Sequence, residues 1–408
     1  MANTLNLGNG NWATKEDSLL AYNSENGNFK PLPFDFTRAS SATVVNKAGL
    51  IETVGSGEPR IDFSNDAKGA LLLEPQRSNL ITYSEAFDNA YWTKDGSSVT
   101  SGFTSPDGTK NAFKFIESSA NSEHILQRNN YSTSGQKYTY KIYAKMNGRK
   151  NISLRENGST GYYVSFDLLN GVILDTSNAT GTITPIGNGW FELTHTSIAG
   201  SSFNVAYYLL SDSYISGNPQ TNPYQGDGTS GIYIWGAQLE QGSYATSYIP
   251  TQGSAVTRVA DACNNAGNEQ VINSTEGVLY AEINAFDNDS TAKAITISQS
   301  STNILGFYYY QSRIDAYVKV GTNQFFKTHY LDTTINNKIS LKYKTNDFAL
   351  WVNGVEVGSL VGSGTTPSGL NQLSFTDTGG SDFYGNVKDV RVYNTALTDS
   401  ELAALTKI

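Results

Sequence analysis

Lys137-Tyr138-Thr139-Tyr140-Lys141-Ile142-Tyr143-Ala144-Lys145 alternates small or polar side chains with aromatic or aliphatic ones. A period of two is the signature of a strand, with one face toward a core and the other toward water. The same pattern continues at 161–168, 190–196, 205–210 and 231–239. Turn pairs separate such runs: Asp107-Gly108, Asn147-Gly148, Asn170-Gly171 and Asn188-Gly189. Glycine after Asp or Asn supplies the positive φ that tight turns need. Short strands at this spacing, running from about residue 79 to 251, predict a β-sandwich of jelly-roll type.

A second series of strands is predicted after the Asn- and Gly-rich stretch 263–269, which reads as a linker. Its members are 277–284, 294–299, 304–310, 313–320, 338–344, 348–352, 370–375 and 385–393. Asn353-Gly354 is the sharpest hairpin signal in the chain, because a type I′ turn requires positive φ at both central residues. Only the end reads helical. Thr398 and Glu401 form a capping box ahead of Leu402-Ala403-Ala404-Leu405.

The first eighty residues are different. Polar stretches (LNLGNGNW, YNSENGNFKPLPF) enclose two strands, at 42–45 and 50–54, around the turn Asn46-Lys47-Ala48-Gly49. The apolar run Ala70-Leu71-Leu72-Leu73 follows, before Glu74-Pro75 ends any ladder. Such a segment cannot offset its own ordering entropy, about 1–2 kcal/mol per residue, so a neighbour should order it. Another copy or another protein is the expected neighbour. The predicted organisation is therefore all-β: two β-sandwich domains in tandem (79–262 and 263–408) after an extended N-terminal arm with a hairpin (1–78).

Composition fits. The chain has 408 residues, 38% hydrophobic and 12% aromatic, with 25 Tyr and 18 Phe, enough for two ring-rich cores. The net charge of -9, without a basic patch, argues against nucleic acid as a partner. No apolar run is long enough to span a bilayer, and the opening MANTLNLGNGNW has neither the charge nor the apolar stretch of a signal peptide. Synthesis in the cytoplasm follows as the expectation. Cys263 is the only cysteine, which excludes an intrachain disulfide and reads as a small buried residue.

Three sets of residues resemble known families. Phe36-Thr37-Arg38-Ala39-Ser40-Ser41-Ala42-Thr43, Gly57-Glu58-Pro59-Arg60-Ile61-Asp62-Phe63 and Leu72-Leu73-Glu74-Pro75-Gln76-Arg77-Ser78-Asn79-Leu80 are similar to a string in structural proteins of tailed bacteriophages. Those proteins carry a later signature similar to Gly236-Ala237-Gln238-Leu239-Glu240, Ala245-Thr246-Ser247-Tyr248-Ile249-Pro250-Thr251 and Thr257-Arg258. The resemblance implies a virion fibre, appendage or adhesin, commonly homotrimeric, joined to other virion proteins through the N-terminal arm. Asn79-Leu80-Ile81-Thr82-Tyr83-Ser84-Glu85-Ala86-Phe87 with Tyr91-Trp92 resembles the opening of jelly-roll carbohydrate-binding modules. Where many of these carry an acidic calcium ligand on the final strand, this chain has Ile234-Trp235-Gly236-Ala237. Leu350-Trp351-Val352-Asn353-Gly354 and the 383–393 run, leading through Ala396-Leu397-Thr398 to Glu401, resemble concanavalin A-like, laminin-G-like sandwiches.

Catalytic signals are weak. Glycoside cleavage needs two facing carboxylates, and Glu282-Ile283-Asn284-Ala285-Phe286-Asp287 lacks the Glu-x-Asp-x-x-Glu spacing of concanavalin-like glycosidases. His124, His195 and His329 are scattered, which disfavours zinc. No cofactor is required. Asp287, Asp289 and Asp227 lie on probable loops and offer hard oxygens to a structural calcium, against the plainer reading of self-capping turns. Asp377 and Asp382 rank beside them.

Glycan binding has better chemistry. Sugars present apolar C–H faces and dense hydroxyls, which match exposed rings beside amides and carboxylates. Trp92, Trp190, Trp235 and Trp351 sit in strand patterns and read first as core. The Tyr162-Tyr163 and Tyr308-Tyr309-Tyr310 runs must turn a ring outward, and Tyr309 is taken as that ring. Tyr214 and Tyr224, with Asn218, Asn222 and Gln225, occupy the longest predicted loop, where function concentrates. The expectation is a virion subunit that binds bacterial surface polysaccharide without cleaving it. A purely structural decoration or fibre protein, and a capsule depolymerase, are the alternatives.

Overall fold

Lys137–Asn147 is a strand, and both of its faces are covered. Tyr138, Tyr140, Ile142 and Ala144 point into a core, as the alternation predicts. Lys141 and Tyr143 on the opposite face are buried as well. The expected wet face is dry because a second apolar layer lies on it: Ile51, Trp190, Trp235 and Tyr248 pack around Tyr143. Ile51 comes from the hairpin Ala42–Val45/Ile51–Val54.

These relations come from a computed structural model that describes residues 4–15, 18–19, 22–23, 28–29, 34–131, 135–156, 161–200 and 203–408. Of the opening and the polar stretch 22–34, residues 1–3, 24–27 and 30–33 lie outside the described residues. The chain divides into two units, one of residues 42–53 with 77–258, the other of residues 1–41, 54–76 and 259–408.

In the first unit two six-stranded antiparallel sheets face each other. One runs Thr93–Asp95, His124–Tyr131, Phe203–Leu210, Asn151–Glu156, Tyr162–Asp167, Val172–Ser177; the other runs Ser97–Phe103, Ala112–Glu117, Gly231–Gln241, Lys137–Asn147, Trp190–Ile198, Ile183–Gly187. Leu126, Leu154, Phe166 and Tyr207 from the first interleave with Phe115, Tyr140, Ile142 and Ile234 from the second. Trp92 closes one end, its ring 6.0 Å from that of Tyr207. All four tryptophans named above are core residues. A bulge between Lys141 and Tyr143 places Gly236 opposite them at φ 65°. A Cβ there would come within 2.8 Å of the Tyr143 ring, so only glycine fits.

The second unit is also a β-sandwich. Its larger sheet is built on Gly385–Tyr393, which pairs with Glu276–Ala285 along one edge. Along the other edge it pairs with Leu5–Gly8 at 389–392 and with Ala70–Leu73 at 385–387. A five-stranded sheet, in the order Thr322–Tyr330, Arg313–Val320, Asn303–Tyr309, Lys293–Ser300, Gln372–Ser374, supplies the other wall. Leu5, Leu7, Leu71 and Leu73 share one core with Ile295, Leu305, Phe307 and Val318.

The expected division at 78 and 262 is thereby corrected. The runs at 5–8 and 70–73 are strands of a sandwich whose longer strands lie beyond residue 259, and the neighbour that orders them is this same chain. An unpaired edge of Gly385–Tyr393 would leave a row of backbone donors and acceptors unmet. Residues 263–269 are not a linker either. Ala262–Asn264 pairs with Phe34–Thr37, Ala266 bonds Leu373, and Cys263, Ala266, Val271 and Ile272 are buried. Burial holds the Cys263 thiol well above its usual pKa.

Local signals were read correctly at the other end. Asn353 and Gly354 have φ of 52° and 86° in the turn between Asp347–Val352 and Val355–Val361. Thr398 and Glu401 form the capping box of the helix Asp399–Thr406, whose Leu402 packs with Trp351 and Tyr393 on the outer face of the larger sheet.

Candidate functional site

The strings around Arg38, Arg60, Glu74, Asn79 and Gln238 form buried polar wiring. Arg38 meets Asp261 at 3.1 Å, Arg60 meets Glu74 at 2.7 Å and also Asp261, and the side chains of all four are buried. The Glu74 amide donates to Asp261 at 2.8 Å. Burial works against the Arg60 charge, but Glu74 and Asp261 more than compensate and raise its pKa. In the other unit Asn79 accepts from the amides of Ile81 and Leu239 and donates to the carbonyls of Ala237 and Ile249. Gln238 takes the Ile249 amide, Glu240 the Thr246 amide, and Arg258 donates to the Thr246 and Ser247 hydroxyls. Motifs with this wiring hold a fold together.

The side chains of the 211–228 loop named above are engaged in bonds within their own unit. Tyr214 is buried, its hydroxyl donating to the Gly217 carbonyl and lying 3.1 Å from Ser165. Asn218 caps the short turn Pro219–Thr221, and the Asn222 amide donates to the Asn218 carbonyl. Tyr224 donates to Glu117 at 2.7 Å, which also receives Nε and Nη2 of Arg149 and the Asp227 amide. Burial and Glu117 raise the Tyr224 pKa. Gln225 donates to the Ser119 carbonyl. The loop is the outer packing layer of its sheet, with Tyr214 seated against Ile125, Tyr208 and Leu210.

Tyr309 is corrected from an outward ring to a core residue. It is 1% exposed, among the residues of the central core, with its hydroxyl donating to the Ile283 carbonyl at 3.3 Å. Strand alternation turns its neighbour Tyr308 outward instead.

The proposed metal ligands have other occupations. Lys293 puts its ammonium 3.3 Å from Asp287 and 2.6 Å from Asp289, supplying the positive charge a calcium ion would bring. Asp227 accepts from the amides and hydroxyls of both Thr229 and Ser230. Those donors hold its carboxyl far below the usual carboxylate range, as a self-capping turn should. Among the described residues no group of three or more His, Cys, Asp or Glu side chains is placed to hold a metal.

A different site is built on the outer face of the five-stranded sheet. Ile304, Tyr308, Tyr317 and Lys319 project from adjacent strands there, with Gly306 opposite Tyr317 and Ile304 opposite Lys319. Phe326 and Asn323 continue the two rows on the edge strand, paired with Tyr317 and Lys319 respectively. The loop following Gln372–Ser374 folds back as a wall: Thr296 donates to the Thr376 carbonyl at 2.7 Å, and the Ala294 amide donates to the Ser381 carbonyl at 2.9 Å. Between wall and edge strand lies an open groove of about 510 Å³, lined also by Ser301, Asp377, Thr378 and Gly379.

Aromatic rings make its floor. Tyr308 and Tyr317 stack at 5.1 Å with 13° between planes, and Phe326 stands 55% exposed at the rim. Tyr308 donates to Asp377 at 2.7 Å; burial, with Asp377 adding to it, pushes its pKa up to about 12. Burial would raise Asp377, yet the Ser381 amide, the Tyr308 hydroxyl and the Gly379 amide outweigh it and hold the carboxyl below its usual range. Asp377 is the only carboxylate among the lining residues. A ring platform with amide, hydroxyl and charged groups at its border is suited to a polar ligand with apolar faces. The Tyr308 run was the available sequence signal, but the inward and outward members of the run were exchanged.

Residues 265–403 match the family described as the concanavalin A-like lectin/glucanases superfamily, so the C-terminal sandwich that carries the groove is concanavalin A-like. No curated protein matches the chain. Among solved structures, similarity extends to the CBM40 of the Ruminococcus gnavus IT-sialidase bound to α2,3-sialyllactose, at 14% identity and a TM-score of 0.30, over 34% of this chain and 86% of that one. Domain 4 of AbnA, a GH43 extracellular arabinanase from Geobacillus stearothermophilus in complex with arabinotriose, is 10% identical with a TM-score of 0.29, over 40% and 83%. Domains LG4-5 of the mouse laminin α1 chain are 10% identical with a TM-score of 0.25, over 69% and 90%.

Proposed function

We propose that this protein binds bacterial surface polysaccharide without cleaving it, as a subunit of a tailed-phage virion appendage. The observation that carries the glycan reading is the groove floored by Tyr308 and Tyr317 and rimmed by Phe326. A pyranose ring stacks its C–H face on such a platform while hydroxyls reach Asn323, Ser301 and Asp377. One lining carboxylate, already bonded to Tyr308 and two amides, is short of the pair that glycoside cleavage uses, which supports binding alone. The virion part of the proposal rests on the strings around Arg38, Arg60, Glu74 and Gln238. On the same resemblance the chain assembles as a homotrimer with other virion proteins, and many tethered copies make weak sugar contacts sufficient.

Binding of the full chain to an array of bacterial polysaccharides tests the reading. We expect binding that Phe326→Ala weakens about tenfold while the melting temperature stays within 2–3 °C of the parent, since a rim side chain contributes contact area rather than core. Binding to none of the array would leave a purely structural role. Release of reducing ends from a capsule preparation would replace binding with depolymerisation. Antibodies against the chain should label intact phage particles, and sedimentation should report a trimer; unlabelled particles or a monomer would remove those parts of the proposal.

A further inference from the structure

The groove carries a lysine that no carboxylate pairs. Lys293, Lys338, Lys342 and Lys388 in the same unit each have a carboxylate within 4 Å. Lys319 does not: it lines the groove half-buried, and among the described residues it has no ion-pair or hydrogen-bond partner. Lys327 on the neighbouring strand also lacks a carboxylate, but its stem lies over Gly358. Asp377, on the opposite wall, is engaged by Tyr308, Gly379 and Ser381 and lies beyond ion-pair distance of Lys319.

An ammonium beside a groove with no ion-pair partner of its own is free to take one. It is placed for an anion that arrives with the ligand. Asn323 is the direct cross-strand partner of Lys319, so the two side chains leave the same face side by side. Two neighbouring donors match the two oxygens of a carboxylate. The rings of Tyr308, Tyr317 and Phe326 stand next to them to receive the face of the sugar.

Resting on the glycan-binding reading, we infer that the groove selects a saccharide bearing a carboxylate, a uronic or sialic acid type of residue, held by Lys319 and Asn323 against the Tyr308–Tyr317–Phe326 platform. The net charge of -9 repels a polyanion at long range, so the preference is made at contact and not by steering.

The test compares the full chain on polygalacturonate and colominic acid, each beside its carboxyl-reduced form, which keeps the sugar skeleton and removes the charge. At least one acidic polymer should bind about fivefold more tightly than its reduced partner, the scale of one solvent-bordered ion pair. Lys319→Gln should abolish that difference, whereas Lys319→Arg should keep it. Phe326→Ala should weaken both forms equally. Equal affinity for charged and reduced forms, with Phe326→Ala still harmful, would overturn the acidic preference while leaving glycan binding in place. No binding to any polymer, by parent or variants, would overturn both. Circular dichroism of each variant guards against a folding defect, and Lys319→Arg, which keeps the charge, is the control for Lys319→Gln.

Discussion

His195 shows what burial does to a single residue. Its ring is fully buried at 4.5 Å from the Tyr140 ring, and desolvation pushes its pKa down to about 3. The folded protein therefore keeps His195 neutral where the unfolded chain, at about 6.5, takes up a proton. The sign follows: more protons are bound unfolded between pH 6.5 and 3, so stability is full above 6.5 and falls as pH drops through that window. From pH 7 to pH 5 the His195 contribution is about 2 kcal/mol. Urea midpoints should fall between these pH values, and His195→Phe should flatten the dependence. An unchanged slope in the variant would move the effect to other groups. At this same scale the sequence misled on Tyr309, because a run of three tyrosines specifies alternation but not phase.

Among elements, Leu5–Gly8 has the largest consequence for its size. Leu5 and Leu7 are in the core, the strand pairs along 389–392, and the Thr4 hydroxyl bonds the Val271 carbonyl at 2.6 Å. A chain lacking residues 1–13 should lose more than about 4 kcal/mol, from two buried leucines at about 2–5 kcal/mol each. Hydrogen exchange would show loss of protection at the amides of 389–392 that face the missing strand; retained protection there would contradict the pairing. For the same reason a fragment starting at residue 79 is not a fair probe of binding. The element was hard to see because LNLGNGNW is four residues of strand in a polar setting. A strand that short carries little periodicity, and its partner is almost four hundred residues away.

For the molecule as a whole, Asp261 ties separated stretches of one unit together. It receives Arg38, Arg60 and the Glu74 amide, so residues near 38, 60, 74 and 261 are fixed in one arrangement. Asp261→Ala should destabilise by about 3–5 kcal/mol, because two buried guanidinium groups lose their shared carboxylate. Thermal unfolding measures this directly. A loss below 1 kcal/mol would mean that water or Glu74 takes over the charge. The phage-like strings thus mark positions that close a fold, while the groove lies in residues outside those strings. Motif resemblance drew attention to buried charge networks and away from the candidate site, since such networks tolerate little change and ligand surfaces can vary around them.

By itself the sequence determined the β class, most strands of both sandwiches, the Asn353-Gly354 turn and the Thr398 capping box, because each is set by neighbours within a few residues. Only the tertiary structure decided that Tyr143 and Lys141 face a second apolar layer, that Leu5–Gly8 and Ala70–Leu73 flank Gly385–Tyr393, that Lys293 occupies the Asp287–Asp289 pair, and that Tyr308 rather than Tyr309 opens onto a groove. Periodicity is a local property of the chain. Which edge is paired, which face is covered and which charge is left without a partner depend on residues brought together from hundreds of positions apart.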